Sequence, residues 1–396
     1  MTIENLDSKI CSGCSLCAHL CPKGSITMQP DKEGFLHPIV DKNTCIECGI
    51  CYKKCPSKND KELPTSKSRY YAVNIKNAED LKKSSSGGVF IALAKNILND
   101  GGYVCGCVYD NSMKATHICT NNINDVYRMM GSKYVQSTIF DILPTLRKLL
   151  EQKKKVLFVG TACQVAAVKT YIRDRENLIL VDILCHGVPS PLYFKKYVSY
   201  LEKRYNGCVT NIDFRNKAKD GWGGEHRTCC TIKTKNGEKK IWPILPAYFC
   251  AFFWSLNLRE SCYNCHFAGE NRISDLTIGD FWGSYNYFKR LIREGISIVS
   301  VNSDKGLNVM HTIKDSFSIY EEIPKKEAKG SNTNFYHPTL RPSSRTNFYD
   351  GIDGLEYKDF YGRVYFDKHS RRKLLISIYG RFSPEFIKTL VRTLRH

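Results

Sequence analysis

No stretch of about 18 apolar residues occurs in the chain, so a membrane-spanning helix is not expected. The first residues, MTIENLDSKICSGC, lack the basic start and apolar core of a secretory signal, and a cytoplasmic location is expected. Acid is scarce: 39 Asp and Glu face 59 Lys and Arg, a formal charge of +20. No nucleic-acid motif accompanies that charge, so nucleic acid is not the expected partner. The excess base suits acidic partners instead, such as a flavin pyrophosphate, a phosphorylated substrate or an anionic membrane face.

Cysteine is abundant where a cytoplasmic chain has no use for disulfides. There are 19, and metal ligation is the natural account. CSGCSLCAHLCP (11–22) and CIECGICYKKCP (45–56) each read C-x2-C-x2-C-x3-C-P, and all four cysteines repeat at an offset of 34 residues. This is the two-cluster ferredoxin spacing, in which the fourth cysteine of each run crosses to the other cluster. Cys11, Cys14, Cys17 and Cys55 are expected on one [4Fe–4S] cluster, and Cys45, Cys48, Cys51 and Cys21 on the second. Gly13 and Gly49 free the loops, and Pro22 and Pro56 redirect the chain. Zinc, which pairs CxxC knuckles from separate hairpins, suits this spacing poorly. Three cubanes of charge −2 would lower +20 to about +14.

A polar linker at 61–68 follows, so the domains are expected at 1–62, 69–320 and 321–396. Strands are predicted at 70–75, 103–109, 155–160, 177–184 and 296–302, and helices at 86–99, 139–152, 162–172, 191–205 and 304–315. The expected fold is thus an α+β ferredoxin-like two-cluster module, then an α/β domain with a mainly parallel sheet and an antiparallel insertion over 208–242. Residues 321–345 read as an extended connector. The tail RRKLLISIYGRFSPEFIKTLVRTLRH (371–396) is basic and amphipathic. It is suited either to packing on the protein or to an anionic membrane surface at the inner face.

Further motifs lie in the large domain. Ser84, Ser85, Ser86, Gly87 and Gly88 fall where a helix should start, a place suited to a flavin pyrophosphate and equally to an ordinary cap. In GSKYVQS, Lys133 is either a phosphate or flavin contact or a surface lysine, with Ser132 and Gln136 as hydrogen-bond donors. Cys163 and Cys185 each follow a predicted strand, where α/β sheets place ligands. With the CxxC of Cys262 and Cys265 they would complete a third cubane; otherwise they are core cysteines beside a stray knuckle. The remaining seven, Cys105, Cys107, Cys119, Cys208, Cys229, Cys230 and Cys250, read mainly as core. His186 and Asp280 are the candidate proton-handling residues.

KSSSGGVF, GSKYVQS, VLFVGTACQVAAVK, VDILCHGVPSP and ESCYNCHFAGENRISDLTIGDFWG together resemble the beta subunit of coenzyme F420 hydrogenases and dehydrogenases. The fused ferredoxin looks like the bacterial branch, whose members accompany polysaccharide biosynthesis. One departure is Ala162, where the family commonly has proline before the cysteine; a looser turn is expected. The resemblance implies FAD, a further [4Fe–4S] cluster and a hydride-accepting small-molecule substrate, deazaflavin-like or a polysaccharide precursor. It favours the flavin over the ordinary cap at Ser84–Gly88. The expected function is an iron–sulfur flavoprotein oxidoreductase fed by a redox partner such as ferredoxin. The alternative is a non-catalytic electron-transfer subunit that feeds a separate enzyme.

Overall fold

A computed structural model describes residues 1–58, 68–224, 226–243, 246–289, 293–330 and 332–365. Most of the polar linker and the whole basic tail, with its membrane-contact expectation, lie outside the described residues. Among the described residues, no helix is long and apolar enough to cross a membrane.

The cysteine repeats fold alike. The helices α1 (Leu16–Leu20) and α2 (Ile50–Lys53) each begin after a left-handed residue, Ser15 at φ 65° and Gly49 at φ 73°. Two residues earlier the pattern recurs, with Gly13 at φ 66° and Glu47 at φ 49°. Each loop therefore needs two left-handed residues, and each repeat supplies only one as glycine. The other two sit strained, at roughly 1 kcal/mol apiece. Between the repeats β1 (Ile26–Pro30) and β2 (Leu36–Val40) pair antiparallel, turned by Asp31, whose carboxylate accepts from the amides of Glu33 and Phe35.

The large domain centres on eight strands. They are β3 (Arg69–Ile75), β4 (Tyr103–Tyr109), β5 (Ala115–Thr120), β6 (Val156–Thr161), β7 (Leu178–Ile183), β11 (Leu276–Asp280), β12 (Ser297–Val301) and β13 (Phe317–Ile323). Their order is β13-β3-β12-β11-β7-β6-β4-β5. The expectation of a mainly parallel sheet is corrected: β4-β6, β6-β7 and β7-β11 are parallel, while β11-β12, β12-β3, β3-β13 and β4-β5 are antiparallel. The reason is visible in β12. Its five residues, SIVSV, are all buried, so it reads like the doubly covered strand of a parallel sheet although it runs the other way. Helices α3 (Ala78–Lys83), α4 (Val89–Asn99) and α5 (Ile123–Met129) follow β3 and β5, with α4 and α5 covering one face; α6 (Ile142–Glu151) and α7 (Ala162–Tyr171) cover the other.

The insertion is antiparallel as expected, β8 (Cys208–Asp213), β9 (Cys229–Thr234) and β10 (Gly237–Ile241) in the order β10-β9-β8. It packs with α8 (Pro191–Tyr205), α9 (Ala247–Phe253) and residues 345–365 around Tyr193, Tyr197, Tyr248, Phe348 and Phe360. The extended connector is also corrected. Residues 321–323 finish β13, and Lys325–Lys329 and Arg345–Tyr349 are helical. The polar composition of that segment does not make it extended: Lys329, Asn332, Thr339 and Arg345 are themselves buried, and Phe335 anchors it in the core.

The ferredoxin module is bolted to the large domain. Arg345, 1% exposed, forks onto Glu33 at 2.6 and 3.0 Å and donates to the Leu258 carbonyl at 2.9 Å. Ser190 donates to the Glu33 carbonyl. Replacing Arg345 with alanine leaves Glu33 without its partner and should lower stability by about 3 kcal/mol. A lowered urea midpoint, read from near-ultraviolet circular dichroism, checks this.

Candidate functional site

The ferredoxin cysteines line two adjacent cavities. One is walled by Cys21, Cys45, Cys48 and Cys51, the other by Cys11, Cys14, Cys17 and Cys55, with Cys51 common to both. Cys48 is exposed, so the first cavity lies near the surface. Burial and the neighbouring Cys55 push the Cys14 thiol up to about 12. Burial would raise Cys11 too, but a hydrogen bond with His37 and the charge of Arg259 hold it below its ordinary value.

Four more cysteines meet behind them. Cys163 is the second residue of α7, directly after β6; Cys185 follows β7; Cys262 lies in α10 (Glu260–Tyr263) and Cys265 just beyond it. All four line one cavity. The Cys185 loop and α10 approach closely: Arg259 donates its amide to the Val188 carbonyl at 3.0 Å, and a Cβ on Gly187 would stand 3.2 Å from that of Cys262. Behind them Arg272 pairs with Asp182 of β7 at 2.9 Å, both side chains almost wholly buried. Arg272 also donates to the Phe267 carbonyl at 2.9 Å, tying the CxxC loop to the strand that carries Cys185.

Burial and mutual repulsion lift these thiols: Cys262 to about 12, Cys265 to about 11, and Cys185 well above its ordinary value. Thiolates this dry and close would need positive charge among them, which iron would supply. Among the described residues, no three His, Cys, Asp or Glu side chains are grouped to hold one ion. A cubane asks for a wider set, with each of four irons taking one thiolate. The Ala162 turn is not loose. Thr161 and Gln164 close a capping box around it, and Gln164 donates to Ser137 at 3.0 Å.

A cavity of about 470 Å³ opens on the far side of Cys185. Ser84, Ser85, Ser86, Gly88, Ser132 and Lys133 line it, as do His186 and Asp280. None of the serines caps the start of α4. Ser84 donates to the Asp80 carbonyl at 2.7 Å, Ser86 to Ile296 at 2.7 Å, and Ser85 bonds Ser132 at 2.9 Å. Gly88, φ 86°, precedes α4 with no side-chain cap, and Gly88, Val89 and Phe90 line the cavity, which leaves the amides of the first turn without a capping side chain beside it. An anion there would satisfy them. Gly87 is a close backbone approach instead, since a Cβ would stand 2.1 Å from the Val73 carbonyl.

Other expectations move. Lys133 Nζ donates to the carbonyls of Arg128, Met129 and Met130 at 2.8 to 3.0 Å, closing the end of α5. Burial pulls it down to about 8. It is neither a surface lysine nor open to a phosphate. Gln136 is not in the cavity wall; its amide donates to the Ser12 carbonyl at 2.9 Å, in the ferredoxin module. Asp280 pairs with Arg215 at 2.7 Å, and Arg215 lies over Trp282 and Trp222. That commitment leaves it poorly placed to trade a proton. His186 bonds Ser255 at 2.9 Å and Thr339 at 3.3 Å through its two ring nitrogens, which orients the loop. Cys105 and Cys119, expected as core thiols, face one another across β4 and β5 and are disulfide-bonded. Cys107 lines the large cavity and Cys208 is exposed, while Cys229, Cys230 and Cys250 are buried.

The four cavities stand in series. Cys51 joins the first two; Ser12 and Ser57 belong to both the second and third; Thr161, Cys185, His186 and Gly187 belong to both the third and fourth. Sequence reasoning missed Arg259, Arg272, Arg215 and Lys217. Lys217 donates to the carbonyls of Leu81 and Ser86 at 2.8 and 2.7 Å and so holds both ends of the serine loop. Only Asp182, a lone acid inside the apolar run NLILVDIL, signalled a buried partner.

Comparison with known proteins finds matches to two segments of the chain. Residues 10–59 match the 4Fe-4S dicluster domain, and residues 153–327 match the C-terminal part of the coenzyme F420 hydrogenase/dehydrogenase beta subunit. An F420H2 dehydrogenase subunit of Methanosarcina mazei is 24% identical over 197 residues, 46% of this chain and 55% of that protein. The coenzyme F420-dependent sulfite reductase of Methanocaldococcus jannaschii is 27% identical over 172 residues, 42% of this chain and 26% of that protein. The chain thus spans about half or less of these relatives. A structure of the F420-reducing [NiFe] hydrogenase complex from Methanosarcina barkeri aligns with TM-score 0.44 and 17% identity, covering 74% of this chain and 95% of that one. The chain is related to iron–sulfur electron-transfer proteins: residues 10–59 match a 4Fe–4S dicluster domain and residues 153–327 match the C-terminal part of the coenzyme F420 hydrogenase/dehydrogenase beta subunit.

Proposed function

We propose that this chain is an iron–sulfur flavoprotein oxidoreductase with three [4Fe–4S] sites and one FAD site arranged in a line. The observation that carries this is the shared wall residues, above all Cys185, which lines both the third cysteine cavity and the large cavity. Cubanes would supply one-electron steps and a flavin would turn pairs of them into a two-electron transfer. Cys21, Cys45, Cys48 and Cys51 would hold the outer cluster, Cys11, Cys14, Cys17 and Cys55 the middle one, and Cys163, Cys185, Cys262 and Cys265 the inner one. The uncapped start of α4, with Ser85 and Ser132 beside it, would hold the FAD pyrophosphate. The Thr161–Gly187 side would face the ring. Phe253 and Trp282, 62% and 45% exposed, flank the mouth where a flat substrate would stack.

The relatives' names support a deazaflavin as the two-electron partner; nothing comparable supports a polysaccharide precursor. The electron donor is a protein of ferredoxin type meeting the surface near Cys48. Turnover of the isolated chain with reduced ferredoxin and a deazaflavin separates an enzyme from a subunit that only feeds another.

Ser85→Glu places a carboxylate where the pyrophosphate would lie and should weaken FAD binding at least tenfold, about 1.4 kcal/mol. Quenching of flavin fluorescence on titration reads this. Gly87 is unsuitable for the test because any side chain there meets backbone. Wild-type protein that takes up no flavin on reconstitution would overturn the FAD assignment.

A further inference from the structure

Arg259 is a buried cation set between two of the cysteine groups. It is 2% exposed. Its Nε donates to the Cys11 carbonyl at 2.7 Å, its Nη2 to the Leu36 carbonyl at 2.9 Å and toward His37 at 3.1 Å, and its Nη1 to Gln136 Oε1 at 3.1 Å. The same side chain lines the cavity of Cys163 and Cys262, three residues before the latter. Every one of these bonds except that to Gln136 crosses into the ferredoxin module. A Cβ on Gly13 would stand 2.8 Å from Nη1, so the cluster loop folds directly against the guanidinium.

A fixed charge in so dry a place is screened little. Reduction of a cubane adds one negative charge, so a neighbouring cation favours the reduced form and raises the potential. Arg259 lines the inner cavity and reaches the middle group through the Cys11 carbonyl, although it is not in the wall of the middle cavity; the outer cavity, of Cys21, Cys45, Cys48 and Cys51, lacks it as well, and none of its bonds above goes to that group.

We propose that Arg259 is a positioning residue whose buried charge raises the reduction potentials of the middle and inner cluster sites relative to the outer one. It thereby biases electrons inward while locking the module onto the large domain. The inference rests on the three-cluster reading. The middle site, built on the ferredoxin motif alone, still tests it if the inner one proves absent.

The test is an anaerobic redox titration of the full holoprotein, followed by electron paramagnetic resonance. Arg259→Gln should lower the middle and inner potentials by at least a tenfold change in the reduction equilibrium, about 59 mV for one electron, and leave the outer potential in place. Arg259→Lys keeps the charge and should stay near wild type. Gln136→Glu guards against failure of the first variant to assemble, because it keeps the acceptor for Nη1 while setting an anion beside the guanidinium. It should lower the same two potentials. Unchanged potentials in Arg259→Gln or Gln136→Glu at full iron content would overturn the proposal. So would an equal shift at all three sites, or a lysine variant that shifts as far as glutamine. Iron content of about eight per chain in wild type would instead count against the third cluster.

Discussion

Replacing Cys262 with alanine is expected to remove about four of about twelve iron atoms per chain and to cut flavin reduction by a ferredoxin-type donor more than about a hundredfold. Losing even an outer partner of a metal ligand costs about 10- to 100-fold, and Cys262 is proposed as a ligand itself. The ferredoxin signals should persist, since Cys262 lines neither of their cavities. Photoreduction of the bound flavin should also persist, because Cys262 is not in the wall of the large cavity. Iron analysis with stopped-flow absorbance checks both. Unchanged iron would rule out the inner cluster, and unchanged donor-driven reduction with lowered iron would remove it from the electron path.

Asp182→Ala should be the most destabilising single change. The side chain is 0% exposed and Arg272 is 2% exposed, so truncation strands a buried guanidinium. Breaking a buried pair from one side costs about 3–5 kcal/mol. The loss falls on the link between β7 and the CxxC loop, so the inner cluster should be lost before the fold. Thermal denaturation followed at the iron–sulfur absorbance and by far-ultraviolet circular dichroism should show two separated transitions. A variant as stable as wild type, retaining all its iron, would show that the pair does not hold the loop. Asp182→Asn with Arg272→Met, which removes both charges, should recover much of the stability.

The parts of this protein that covalent spacing dictates are the parts readable in its residues. Two runs of C-x2-C-x2-C-x3-C-P leave the loops little choice, and the structure brings each expected set of four to one cavity. The strands and helices that were predicted in the large domain lie close to place for a similar reason, since the apolar period of runs such as KVLFVG and NLILVDIL is strong, whereas β5, β13, α3 and α5 were not foreseen. Direction was not. Burial of β12 on both faces gives no sign of which way the strand runs, and its antiparallel pairings with β11 and β3 follow from a direction that no local pattern announces. Roles set by distant partners were also hidden. Lys133 looked like a phosphate contact because its neighbours are small and polar, yet four carbonyls at and just past the end of α5 occupy it. Gln136 follows closely in the chain but faces the ferredoxin loop instead of the cavity. Arg259 gave no signal beyond its place before the CxxC, since what makes it matter is Cys11, 248 residues away.

Iron, acid-labile sulfide and flavin content of the full chain, purified without oxygen, test the three-cluster, one-flavin layout most directly. Three cubanes and one FAD predict about twelve iron, about twelve sulfide and about one flavin per chain. About eight iron per chain with no flavin uptake on reconstitution, or zinc in the inner cysteine group, would contradict it.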